Sequence, residues 1–80
     1  MLLSDVVSSV VNRSGLSPYY KEKLLASGFF LTRNPRNELV ATTDFWIPWS
    51  EHFTPEEEDE YEAIKDKVSW ILFTIEGIYG

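Results

Sequence analysis

The segment Glu56-Glu57-Glu58-Asp59-Glu60-Tyr61-Glu62 places six carboxylates within seven residues. Side chains of this type can move protons, hold a hard cation or meet a positively charged partner. Proton transfer needs a carboxyl group whose pKa is tuned by burial, and acids crowded on one solvated stretch lack that desolvation. A cation could draw on Asp44, His52 and the glutamates, but a calcium loop alternates its ligands around a glycine. No glycine occurs between Gly28 and Gly77. His52 is the only histidine and there are no cysteines. Two-histidine and thiolate metal sites are thereby excluded, as are disulfides, and a Ser-His-Asp arrangement would have to be built on His52. No glycine-rich phosphate loop is present. The expectation is a non-enzymatic protein with no catalytic residue, no metal site and no cofactor.

What remains for the acidic run is a structural or a binding role. Thr54-Pro55-Glu56-Glu57 reads as an N-cap, a proline at the first helical position and a glutamate that completes a capping box. Acids in the first turn complement the helix dipole by about 0.3–1 kcal/mol each. That covers Glu56, Glu57 and Glu58, but Asp59, Glu60 and Glu62 lie beyond it. On a helix the pairs 56/59, 56/60, 57/60, 58/62 and 59/62 bring like charges together, at roughly 0.2–0.5 kcal/mol per pair. Repulsion and dipole gain are then similar in size, and only Glu62 has a lysine within reach, Lys65. Negative charge exceeds what a helix start can use, so a basic partner is expected.

Aromatic residues accompany the acids. Phe45-Trp46-Ile47-Pro48-Trp49 precedes the helix, with one of its tryptophans expected in the core and an exposed one beside the acidic start. Alternation along an extended segment sends Trp46 away from Phe45 and Ile47. On the helix, Tyr61, Ile64, Val68, Ile71, Ile75 and Ile78 recur at three- and four-residue steps, while Trp70 points opposite Tyr61 and Phe73 lies off the stripe. Such aromatics either bury the last turns all round, between hairpin and first helix, or form a contact surface. The expected contact residues are Glu57, Glu58, Asp59, Glu60 and Glu62 for charge, with Trp49 and Trp70 as apolar anchors.

These side chains need a scaffold. Eighty residues suffice for one domain, expected to span 1–80, that buries about 60–65 % of its unfolded surface. Three Trp, four Tyr and five Phe are expected to supply the stabilisation that disulfides do not. Leu3, Val6, Val7, Val10 and Val11 predict a helix over 2–13 that stops at Ser14-Gly15. Ser17-Pro18 opens a second, short helix through Leu24 and Leu25. Phe29–Arg33 and Glu38–Ile47 flank Asn34-Pro35-Arg36-Asn37 as a hairpin around a type I turn. The predicted fold is α+β, in the order α-α-β-β-α, with the long C-terminal helix packed on the hairpin.

Net charge is −6 but unevenly placed. Residues 1–40 hold five Lys or Arg against three acids, and residues 41–80 hold two against ten. Leu24-Leu-Ala-Ser-Gly-Phe-Phe-Leu-Thr-Arg33 followed by Asn34-Pro-Arg-Asn-Glu-Leu-Val-Ala-Thr42 resembles the end of a winged-helix recognition helix and its wing. The resemblance covers about a quarter of the chain and departs from the pattern in having one helix pair before the hairpin and an acidic helix after it. It implies a nucleic-acid binder over residues 19–42 whose phosphate contacts would be Lys21, Lys23, Arg33 and Arg36. In size and charge the chain resembles the small acidic proteins, DNA mimics among them, that viruses and phages use against host proteins.

The leading expectation is an inhibitor or adaptor that covers a basic surface of a target protein, such as one that binds nucleic acid. Nucleic acid itself is not the expected partner. The alternatives are the winged-helix-like binder and a structural subunit or obligate homodimer that buries Trp70 and Phe73. The N-terminus lacks the basic start of a signal peptide, and the Trp70–Ile75 stretch is too short to span a bilayer. A cytoplasmic location is expected.

Overall fold

In the computed structural model, which describes residues 2–80, the elements follow in the predicted order. Helix α1 spans Leu3–Arg13, α2 Pro18–Leu25, strand β1 Phe29–Arg33, β2 Leu39–Thr43 and α3 Pro55–Tyr79. Four valines of α1, Val6, Val7, Val10 and Val11, lie on one buried face. Their burial outweighs the modest helix propensity of β-branched residues. The helix ends where Ser14 turns its hydroxyl back to the Val11 carbonyl (2.6 Å) and Gly15 takes φ +78°, a left-handed conformation costly for other residues. Lys67 of α3 donates to the Gly15 carbonyl (3.1 Å), tying that corner to the last helix. Ser17 occupies the N-cap position of α2 with an extended backbone, yet its hydroxyl makes no capping bond. Pro18 therefore marks the start without help from the serine side chain.

The hairpin pairs Phe29 with Thr43, Leu31 with Ala41 and Arg33 with Leu39. Side chains alternate across a strand, so Phe29, Leu31 and Ala41 face the core while Phe30 and Thr42 face out. At the turn, Asn37 donates to the Asn34 carbonyl (2.8 Å) and adopts φ +63°. The Asn34 side chain accepts from the Arg36 and Glu38 amides (3.0 and 2.9 Å). A turn closed by an i→i+3 bond and followed by a left-handed asparagine is a favoured three-residue hairpin connection. Strand β2 is shorter than the Glu38–Ile47 flank suggests. β1 begins only at Phe29, so beyond Thr43 the pairing ends at Gly28, whose carbonyl accepts from the Asp44 amide (3.2 Å) and whose amide donates to Asp44 Oδ1 (2.7 Å). The connector keeps the alternation, with Phe45 and Ile47 against the core and Trp46 outward.

Helix α3 packs on β2 and α1, and α2 packs on α1. The core is Val6, Val7, Val10, Val11, Leu16, Leu24, Ala41, Ile64, Ile71 and Ile75. It is aliphatic throughout. No aromatic side chain is fully buried, so the aromatics contribute from the edge of the core and not from its centre. Thin layers explain it: a single hairpin and two short helices enclose a space that valines and isoleucines fill. The larger rings Tyr20, Phe29 and Phe45 pack at its rim.

One polar bond joins sheet and helix. The Ala41 amide turns away from β1 and donates to Glu76 Oε1 of α3 (2.9 Å), so this carboxylate caps the central outward amide of β2. Replacing Glu76 by Ala leaves a half-sheltered amide without a partner, expected to destabilise by about 1–3 kcal/mol. Glu76→Gln keeps the acceptor and should cost less. Urea unfolding of both variants, with unchanged slope, checks the order.

Candidate functional site

Thr54 accepts from the Glu57 amide (3.2 Å) and Glu57 Oε1 accepts from the Thr54 amide (3.3 Å). The capping box is complete. Glu57, expected as a contact residue, is thus engaged in starting α3. Glu60 is engaged as well, accepting from the Tyr20 hydroxyl of α2 (3.5 Å). Glu58, Asp59 and Glu62 are exposed. At about 100° per residue, Asp59 and Glu62 share the outward face of α3 with Asp66, Trp70 and Phe73, over about 21 Å of helix. Acids occupy its N-terminal part and aromatics its C-terminal part.

The protein's own cations do little to neutralise this face. Lys67 is bonded to Gly15. Lys65 lies 3.9 Å from Glu62, both side chains more than half exposed, and 5.4 Å from the centre of the Tyr61 ring. An exposed pair of this kind contributes little. Glu58, Asp59 and Asp66 have no ion pair within the described residues.

The aromatic anchors are placed by packing. Trp49 rests edge-on against Phe53 (centroids 6.4 Å apart), and Phe53 against Tyr61 of α3 (5.9 Å). This chain of rings holds Trp49 beside the acidic helix start while leaving it 57 % exposed. Trp70 is 47 % and Phe73 76 % exposed, so the last turns are not buried all round. Two partners, β2 and α1, cover one side of the helix, and no element among the described residues covers the other. Trp46 is 73 % exposed, and with Trp49 also outside, neither tryptophan of the connector is in the core. An indole there would displace Phe45 and Ile47, which already fill the space over α3. Trp46, Phe45, Ile47, Ile64, Lys65, Val68 and Ser69 line a shallow groove of about 190 Å³. Its rim residue Ser69 also borders the hollow around Trp70 and Phe73.

Asp66 and Trp46 were missed as site residues by sequence reasoning. Asp66 was findable, since it follows Glu62 by four positions and so continues the acidic face. The exposure of Trp46 needed the end of β2 to be known. Gly77 extends the face beyond Phe73, and an added Cβ there would meet no atom within 4 Å.

The basic residues are not gathered. Lys23 lies over the Tyr19 ring (5.3 Å to its centre) on α2. Arg33 donates to the Asn37 carbonyl (2.8 Å) at the hairpin turn, and Arg36 is in the turn itself. Five strand residues at about 3.4 Å each separate that turn from the end of α2. His52 stands in an exposed turn, its ring 3.8 Å from Glu51. Among the described residues no group of three or more metal-ligating side chains comes together, and no helix is long and apolar enough to cross a membrane.

Comparisons with protein-family models, with curated proteins and with solved structures return no match to this chain.

Two outcomes test the local chemistry. Burial, then the nearby Glu60 charge, raises the Tyr20 pKa above its ordinary value. The folded state therefore holds this proton more tightly. Its contribution is fully present below about pH 10 and declines as pH rises through the folded-state value. Phenolate absorbance of wild type minus Tyr20→Phe should show a late-titrating tyrosine, shifted earlier by Glu60→Gln. Gly77→Ala removes a flexible residue from an open helix position. It should stabilise the isolated protein by about 0.5–1 kcal/mol, read by thermal unfolding.

Proposed function

We propose that this chain is a protein-binding module that docks through the outward face of α3. It covers a surface of its target that combines basic side chains with an apolar recess. Asp59, Glu62 and Asp66, with Glu58 beside them, meet the basic groups. Trp70 and Phe73 fill the recess, and Trp46 and Trp49 flank the contact. The observation that carries this reading is a helix face whose carboxylates have only one exposed lysine, Lys65 beside Glu62, for a counter-charge among the described residues and run directly into exposed aromatics. Complementary charge steers such an encounter and selects the partner, while buried aromatic anchors supply most of the affinity. A target surface that binds nucleic acid has the required basicity. Occlusion of such a surface would make the chain an inhibitor or adaptor rather than a catalyst.

The test is affinity capture from lysate of the source cells with three proteins: wild type, an Asp59, Glu62, Asp66→Asn variant and Trp70→Ala. The triple variant removes the 59/62 and 62/66 like-charge pairs, so it should be as stable as wild type or more so. It should lose a basic target that wild type retains, and wild-type binding should weaken as salt rises. Trp70→Ala should weaken the same complex by about 2 kcal/mol or more, measured with the purified target. Retention of the same proteins by both variants as by wild type would overturn the reading.

A further inference from the structure

The two edges of the hairpin are not alike. Asn34 donates to the Glu38 carbonyl and Asp44 to the Gly28 carbonyl, which fixes 34/38 and 28/44 as hydrogen-bonded positions of the ladder. Between them, Phe30/Thr42 and Thr32/Val40 are bonded in turn, and the amides of residues 29, 31, 33 and of their partners point outward. On β2 the central outward amide, Ala41, is taken by Glu76 and α3 packs along the strand, while the Leu39 and Thr43 amides have no acceptor among the described residues. On β1 the outward amides of Phe29, Leu31 and Arg33 have no such acceptor among the described residues, and no helix packs extensively along that strand. β1 reads Phe-Phe-Leu-Thr-Arg. It carries none of the interior lysines, prolines or bulges by which exposed edges are usually kept from pairing.

We propose that β1 is a self-association edge: two copies of the chain pair their β1 strands antiparallel, joining two hairpins into one four-stranded sheet. The strand is self-complementary about Leu31. Leu31 faces Leu31 of the second copy, and Phe29 faces its Arg33. These are the residues whose amides and carbonyls point outward, so the ladder bonds form in register. On the outer face Phe30 stands opposite Thr32 of the second copy, an aromatic–β-branched pair of the kind that stabilises sheets. On the inner face Phe29 and Leu31 of both copies extend the apolar surface. A rim of Leu3, Val7 and Leu25 beside Phe29 continues it.

Charge on the strand itself does not oppose this occupant. The chain is net −6, so two copies repel wherever acids meet, but β1 contains a single charge, Arg33, and the pairing places the two copies of it at opposite ends. The assembly also closes. Because α3 packs along β2 and Glu76 takes its central outward amide, pairing through β1 uses the freer edge of each copy and stops at two. A two-stranded sheet is marginal alone, and four strands with one apolar face are not.

The test uses the full chain and is independent of the α3 face. Wild type should sediment as a monomer–dimer equilibrium, and hydrogen exchange at the Phe29, Leu31 and Arg33 amides should slow as concentration rises. A Phe30→Glu, Thr32→Glu variant sets like charges opposite one another twice by symmetry. It should raise the dimer Kd about tenfold or more. A Phe30→Lys, Thr32→Glu variant sets opposite charges there and should restore the dimer. A wild type that stays monomeric at every accessible concentration would overturn the proposal. So would a dimer indifferent to the charge swap, or one that leaves these amides unprotected. If the doubly acidic variant fails to fold, wild-type amide protection alone decides the question.

Discussion

Everything in this structure hangs on one seam, where Ile64, Ile71 and Ile75 of α3 meet the valine face of α1 and the inner face of β2. The chain has no disulfide, and a domain of this size buries a limited share of its surface. Burial of these aliphatic side chains is then the main favourable term. Helix α3 is the common wall of the molecule. α1 reaches it through its valines, the hairpin through Ala41 and its bond to Glu76, and the α1–α2 corner through Lys67.

The same seam creates the surface that faces outward. A 25-residue helix can be covered all round only by a larger set of neighbours than this chain supplies. α1 and β2 take one side, and the remaining side must face water or another molecule. Its side chains are divided along the axis, carboxylates first and then Trp70 and Phe73. Single exposed apolar residues are ordinary on protein surfaces. Trp46, Trp49, Trp70 and Phe73, all exposed around one helix while the core holds no aromatic ring, are a different distribution. All three tryptophans are thus exposed, while the half-buried rings Tyr20, Phe29 and Phe45 pack against the core.

The acidic run shows how one stretch of sequence can divide its tasks. Glu57 closes the capping box, Glu60 receives the Tyr20 hydroxyl, and Asp59 and Glu62 join Asp66 on the outward face. These roles follow from a rotation of about 100° per residue. They are invisible in composition, where the acids look equivalent.

Local rules in the sequence determined the elements and their order. The Thr54-Pro55-Glu57 start, the Gly15 stop, the asparagine-flanked Pro35 turn and the 3.6-residue stripe of α3 each act through bonds and sterics within a few residues. A few residues are enough to read them. Tertiary structure alone decided which large side chains are inside. Phe45, Trp46, Trp49, Trp70 and Phe73 all have the chemistry to be buried, and the outcome depends on how much space two short helices and one hairpin enclose. It also decided that Lys67 turns to Gly15 instead of to the acids, and that Glu76 takes the central amide of β2 while no helix packs extensively along β1. Those contacts join positions 52 and 35 residues apart, and no local pattern encodes a meeting at such separation.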